Sequence, residues 1–190
     1  EYTGRRMELS YNGNIIAIGI PSNSQSDAGT VRVYQYIPTE EPYSANSDDC
    51  WGNWVQLGND IEGSDFNYIM GNSISIDSAG NSLVIGSRNN VDIYDYFNGS
   101  WVKDQGLNVV SDVEFHSVSL SSDGNTVAVG TPLDSENGTN AGVVKIYQKS
   151  LISWNQIGSN ILGDLEGDYF GYSVSLSSDG NTLAIGAPYS

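Results

Sequence analysis

Small polar and apolar side chains alternate along Ser173-Val-Ser-Leu176, break over Ser-Ser-Asp-Gly-Asn181, and alternate again from Thr182 to Ile185. Period-2 alternation is the pattern of a pleated strand with one face turned inward. The break holds Asp179-Gly180, and Gly takes positive φ at no steric cost, so a hairpin closed by a two-residue primed turn is predicted. Gly186-Ala-Pro188 ends the second strand, because Pro cannot donate to a ladder.

The same unit occurs four times: from Met7 to Pro21, from Ser73 to Gly86, from Ser117 to Pro132 and from Ser173 to Pro188. Its turn glycines are Gly13, Gly80, Gly124 and Gly180, spaced by 44 to 67 residues. A third alternating run follows the first three hairpins and carries tyrosine: Thr30 to Tyr36, Val91 to Tyr96 and Gly142 to Gln148. A tryptophan-led run comes next: Trp54 to Gly58, Trp101 to Gln105 and Trp154 to Gly158. Tyrosine, tryptophan and β-branched residues suit half-buried pleated surfaces. No segment shows helical periodicity.

The chain therefore reads as all-β, a β-propeller of four-stranded antiparallel blades with about three and a half blades present. The expected blades are 1–58, 59–105, 106–158 and 159–190, the last incomplete, with an insertion loop at 37–52. Small residues on the first two strands let inner strands converge near an axis. The columns Tyr34/Tyr94/Tyr147 and Trp54/Trp101/Trp154 should fill the wider gaps between blades further out. The repeat is entered at one internal point and left at another, so the expectation is a segment of a longer polypeptide. The alternative is strand addition by another subunit.

Charge narrows the partners. Seven Lys and Arg stand against 23 Asp and Glu, a formal charge of -16. Phosphate backbones and anionic lipid repel such a chain, which disfavours nucleic acid and membrane-surface roles. No apolar run is long enough to span a bilayer, so no membrane insertion is expected in this segment. Cys50 is the single cysteine and cannot form a disulfide within the chain.

Gly167-Asp-Tyr-Phe-Gly-Tyr-Ser173, Gly186-Ala-Pro188 and Gly142-Val-Val-Lys-Ile-Tyr147 resemble the FG-GAP repeat of integrin-α-type propellers, and the order of runs is similar to long repeat arrays in algal and microbial surface proteins. Met70-Gly71 and Glu114-Phe115 stand where repeats two and three would carry Phe-Gly. The resemblance implies an extracellular or cell-surface protein working in adhesion or protein binding, often with calcium in an Asp-rich loop.

Candidate sites follow from the loops. Asp134, Glu136 and Asn140 offer oxygens at alternating positions, the donor type a hard cation such as calcium needs, although no bidentate acid follows at the expected distance. Asn98-Gly-Ser100 and Asn137-Gly-Thr139 fit the N-glycosylation sequon in predicted turns. Cys50 and Trp51 lie in the insertion and are candidate partner contacts, Trp51 as the aromatic anchor. Asp164, Glu166 and Asp168 cluster before Phe170; carboxylates held in a cleft can do acid–base work, but nothing in the sequence indicates a cleft, and solvated turn carboxylates are the favoured reading. His116 is the single histidine and has no second histidine or cysteine to join it. A nucleophile elbow and a phosphate loop are absent.

The expected protein is thus a non-catalytic extracellular scaffold, adhesive or fibre-forming, that is not an enzyme and assembles with protein, by self-association or with another part of the same polypeptide. The alternatives are a receptor propeller for protein or glycan and a propeller-based carbohydrate-active enzyme.

Overall fold

The computed structural model describes residues 6–21, 28–38, 52–64, 69–110 and 117–190, the side chains of 105, 106 and 108–110 excepted. The first sheet joins β1 (Arg6–Leu9), β2 (Ile15–Ile20), β3 (Thr30–Pro38) and β4 (Gly52–Gln56) in that order. A short β5 (Ile61–Glu62) pairs with the start of β3, so the fourth strand comes in two pieces and the sheet reaches residue 62. The second sheet is β6 (Ser73–Ile76), β7 (Ser82–Gly86), β8 (Asn90–Phe97) and β9 (Ser100–Val110). The third is β10 (Ser117–Leu120), β11 (Thr126–Thr131), β12 (Val143–Lys149) and β13 (Trp154–Gln156), with β14 (Ile161–Leu162) repeating the role of β5. The fourth sheet holds β15 (Ser173–Leu176) and β16 (Leu183–Gly186). Every pairing between these strands is antiparallel, and no helix occurs among the described residues.

The sheets stand as blades. Their first strands β1, β6, β10 and β15 lie side by side, and apolar cores fill the spaces between the first and second and between the second and third sheets. Ile15, Ala17, Val31 and Val33 of the first sheet meet Ile74, Ile76, Leu83 and Ile85 of the second. Val84, Val91 and Ile93 meet Val118, Leu120, Val127 and Val129 of the third in the same way. The second sheet thus uses both faces, one against the first sheet and one against the third. Full burial of a Val, Leu or Ile side chain contributes about 1.5–3 kcal/mol, so these two layers dominate the stability of the row.

The hairpin between the first two strands differs from the predicted two-residue primed turn. That turn needs positive φ at its first central residue, and in type I′ at both. Only the glycines adopt it: Gly13, Gly80, Gly124 and Gly180 lie at φ +69 to +77°, and Asp123 and Asp179 do not. Side chains brace the wider loop that results. Ser121 donates its hydroxyl to Asp123 Oδ1 at 2.6 Å and accepts the Thr126 N–H at 2.9 Å. Asp123 Oδ1 also accepts the Asn125 N–H at 3.0 Å. Ser177, Asp179, Asn181 and Thr182 repeat the arrangement, and so do Ser10, Asn12, Asn14 and Ile15. In the second blade Asp77 stands in the serine position, and its carboxylate alone accepts both the Asn81 and the Ser82 N–H.

The tryptophan column is filled unevenly. Trp101 and Trp154 are buried between blades, but Trp54 is 47% exposed, because no described blade packs on its side of the first sheet. The rings of Tyr36 and Trp54 tilt together at 5.5 Å and those of Tyr96 and Trp101 at 5.3 Å. In the third blade Lys149 takes the tyrosine position, with its ammonium 5.6 Å from the centre of the Trp154 ring.

Candidate functional site

Blade junctions carry most of the polar structure. Each first strand has an edge whose N–H groups face the preceding blade, and an unpaired buried N–H is costly. Serines of the preceding strand supply the acceptors. The Ser75 hydroxyl accepts the Leu120 N–H at 3.1 Å, and the Ser119 hydroxyl accepts the Leu176 N–H at 2.9 Å. Ser73 accepts the Val118 N–H at 3.1 Å. Glu8 holds the serine position in the first blade, where its carboxylate accepts the Ser75 hydroxyl and the Ile76 N–H, both at 3.2 Å. Burial lifts the Glu8 carboxyl above the usual glutamate range, and those two hydrogen bonds offset only part of the rise.

The hairpin tips make a second line of bonds. The N–H of Tyr11 donates to the Ser78 carbonyl, that of Ser78 to Ser122, and that of Ser122 to Ser178, at 3.0–3.2 Å. Further out, Trp101 donates its indole N–H to the Leu57 carbonyl at 2.9 Å, and its backbone N–H to Asn59. Lys149 reaches across the next junction to Asp95 at 2.9 Å and Asp104 at 3.2 Å, and Trp154 also donates to Asp104.

Phe170-Gly171 closes the junction between the third and fourth sheets. Phe170 donates its N–H to the Ala141 carbonyl at 3.0 Å, and the Gly171 carbonyl accepts the Ser117 hydroxyl at 2.7 Å. Gly171 lies at φ +86°, and a Cβ there would come within 3.1 Å of the Gly130 Cα. Met70-Gly71 repeats this seat one junction earlier: Met70 donates to the Ala28 carbonyl, and Gly71 backs onto Gly19. The glycine and the backbone bond carry the seat, and Met70, 1% exposed, takes the apolar place of the phenylalanine.

The loop proposed for calcium already takes part in hydrogen bonds. Asp134 Oδ1 accepts the Glu136 N–H at 3.0 Å, and Glu136 Oε2 accepts the Asn160 side-chain amide at 2.8 Å. Asn140, at φ +53°, donates its N–H to the Ser135 hydroxyl. Among the described residues no three acidic, histidine or cysteine side chains are grouped to hold a metal. Those two carboxylates and the Asn140 side chain offer fewer oxygens than the 6–8 that calcium takes.

Asn98 sits exposed at the tip of the β8–β9 hairpin with φ +49°. Asn137 is exposed as well, but its side-chain amide donates to the Gly163 carbonyl at 2.8 Å. In the Asp164 cluster, Asp168 is buried and accepts the Leu165 N–H at 3.0 Å, the role of a turn carboxylate. Cys50, Trp51 and His116 lie outside the described residues. Sequence reading missed the exposed pair Leu151 and Ile152 at the β12–β13 tip, although two adjacent apolar residues in a turn, outside the alternation of the flanking strands, were the available signal.

Residues 164–190 match the FG-GAP repeat. No curated protein matches the chain. Among solved structures, the chain is similar to a Bacteroides fragilis protein described provisionally as a 6-phosphogluconolactonase, with 13% identity and a TM-score of 0.59, over 95% of this chain and 41% of that one. A Bacteroides uniformis protein of the same provisional description gives 11% identity and a TM-score of 0.56, over 94% of this chain and 46% of that one. The chain thus spans less than half the length of these neighbours. The expectation that it is not an enzyme is corrected by them: proteins of this fold carry an enzyme description, so a propeller without a familiar motif does not exclude catalysis. The likeness itself concerns the fold alone. The chain is a β-propeller repeat protein that carries an FG-GAP repeat at residues 164–190.

Proposed function

We propose that this chain serves protein–protein assembly as an adhesive or structural repeat scaffold outside the cell or on its surface. The observation that carries the reading is the FG-GAP repeat, with Phe170-Gly171 seated on the preceding blade by the same backbone bond as Met70-Gly71. A row locked at inner strands, hairpin tips and outer tryptophans holds its rim loops in fixed relation, which suits contact with a large partner. The formal charge of -16 supports a solvated setting. Exposed Asn98, the first residue of a sequon, supports a secretory one.

A membrane-impermeant cross-linker applied to intact source cells tests this. Peptides of the chain should be recovered joined to one recurrent protein before lysis. Modification that appears only after lysis would contradict it.

A further inference from the structure

Three Asn-Gly steps occur in the chain, at Asn12-Gly13, Asn98-Gly99 and Asn137-Gly138. In such a step the glycine nitrogen can attack the asparagine side-chain carbonyl carbon, because glycine has no Cβ to shield the approach. Two kinds of hydrogen bond oppose the attack. One holds the asparagine side chain in place, and the other occupies the glycine N–H.

Two of the three steps carry both. Asn12 Oδ1 accepts the Ser10 hydroxyl at 2.9 Å and the Asn14 N–H at 3.0 Å, and the Gly13 N–H donates to the Ser10 carbonyl at 2.9 Å. The Asn137 amide donates to the Gly163 carbonyl at 2.8 Å, and the Gly138 N–H donates to the Ser135 carbonyl at 3.5 Å. Asn98-Gly99 carries neither. It forms the two-residue tip between β8 and β9, with φ of +49° at Asn98 and +84° at Gly99, the pattern of a primed turn. Both residues are exposed. The Asn98 side chain and the Gly99 N–H have no hydrogen-bond partner among the described residues. Nothing lies within 4 Å of a Cβ built on Gly99, so solvent reaches the reacting atoms freely.

We propose that Asn98 is a site of spontaneous deamidation through a cyclic imide, and that in the folded chain it converts before Asn12 and Asn137. The Gly99 nitrogen bonds to Asn98 Cγ and gives up its proton. The Cγ–Nδ2 bond breaks, and Nδ2 leaves as ammonia with a proton returned by solvent. Water then adds to one imide carbonyl and opens the ring. Opening at Cγ leaves isoaspartate's isomer, aspartate, when the Cγ–N bond breaks; opening at the backbone carbonyl leaves isoaspartate.

Either product adds a negative charge at the tip. Isoaspartate also carries the Asn98 Cβ into the main chain, inside a turn that pairs Phe97 with Ser100. Trp101 follows directly, and its indole and backbone N–H groups bond Leu57 and Asn59 of the first blade's segment. The change therefore bears on the outer lock between the first and second blades. A glycan on Nδ2 blocks ring closure, so the two modifications exclude each other at this residue. The inference does not depend on the function proposed above.

The test uses the whole chain made in a host that does not N-glycosylate. The folded chain is kept in mildly alkaline buffer, sampled over time, digested and mapped by peptide mass, with isoaspartate identified by enzymatic methyl labelling. The mass change from asparagine to aspartate should appear at Asn98 about tenfold faster than at Asn12 or Asn137, the rate factor for about one hydrogen bond that must first break. In guanidinium the three sites should convert at comparable rates. Conversion of Asn12 or Asn137 as fast as Asn98 in the folded chain overturns the proposal, as does an Asn98 that stays intact. Conversion of Asn98 without isoaspartate rules out the cyclic imide. An order of rates that persists in the unfolded chain shows that the fold does not set it, and overturns the proposal as well.

Discussion

The hydroxyl of Ser75 accepts the N–H of Leu120 at 3.1 Å, joining the first strands of two neighbouring blades. The same position links Ser119 to Leu176. A serine here does two jobs. It is small enough for two strands to converge, and it satisfies an edge donor that no strand pairs with.

Ser75→Ala leaves the Leu120 N–H buried without an acceptor. The expected loss is about 1–3 kcal/mol. Ser175→Ala removes a hydroxyl with no described partner and should change the stability of the single chain little. Paired urea titrations of the two variants measure the difference.

The hairpin alternation and the fourfold repeat were legible because each depends on neighbours in sequence. Ser121, Asp123, Gly124 and Asn125 announce a turn wherever they occur. The turn type was misread because the Ser121 and Asp123 side chains brace a wider loop, which a glycine-based rule does not weigh. Asp77-Ser-Ala-Gly80 lacks the paired turn side chains of the other hairpins, yet Asp77 alone does the work those pairs share. The links between blades were not legible. Lys149 lies 54 residues from Asp95, and nothing local in either segment signals the other. Trp54, Trp101 and Trp154 look alike in sequence, and only the packing of blades separates the exposed one from the buried two.

Gly130→Ala would place a Cβ 2.2 Å from the Gly171 carbonyl oxygen, a backbone atom that cannot yield alone. The blades would have to separate, with an expected loss of about 2–4 kcal/mol from the disturbed core. Gly13→Ala meets nothing within 4 Å and carries only the strain of its φ of +73°. It should lose about 1 kcal/mol. Thermal melts of both variants give the order.

Glu8 gives the chain a pH signature. Its carboxyl titrates above the usual range, so the folded state holds the proton more tightly than the unfolded one. The associated stability is complete below the ordinary glutamate range and is lost as pH rises through the lifted value. Glu8→Gln removes that loss. The variant should gain on the parent between mildly acid and neutral pH, and the two should converge in more acid solution. Asp123 has the opposite sign. Its bond from the Ser121 hydroxyl, followed by those from Asn125, holds its carboxyl below the usual range. Its contribution is present at neutral pH and is lost as pH falls through the depressed value. Asp123→Asn should therefore differ most from the parent at neutral pH.

Lys149→Met separates the second and third blades electrostatically while keeping their packing. Burial lowers the Lys149 ammonium, but its bonds to Asp95 and Asp104 raise it more, so it stays charged through neutral pH. Losing both ion pairs and the contact with Trp154 should cost about 1–2 kcal/mol. The difference from the parent should shrink in 1 M salt, where the screening length is about 3 Å. Guanidinium would mask the effect, so urea is the denaturant to use.

Residue-resolved amide hydrogen exchange tests the blade row most directly. Leu120 and Leu176 occupy strand edges, where an unpaired N–H would exchange freely. A bond worth about 1.4 kcal/mol slows exchange about tenfold. Both amides should be protected in the parent chain, with Leu120 losing protection in Ser75→Ala and Leu176 losing it in Ser119→Ala. Fast exchange of both amides in the parent would show that the sheets do not lie side by side in this order.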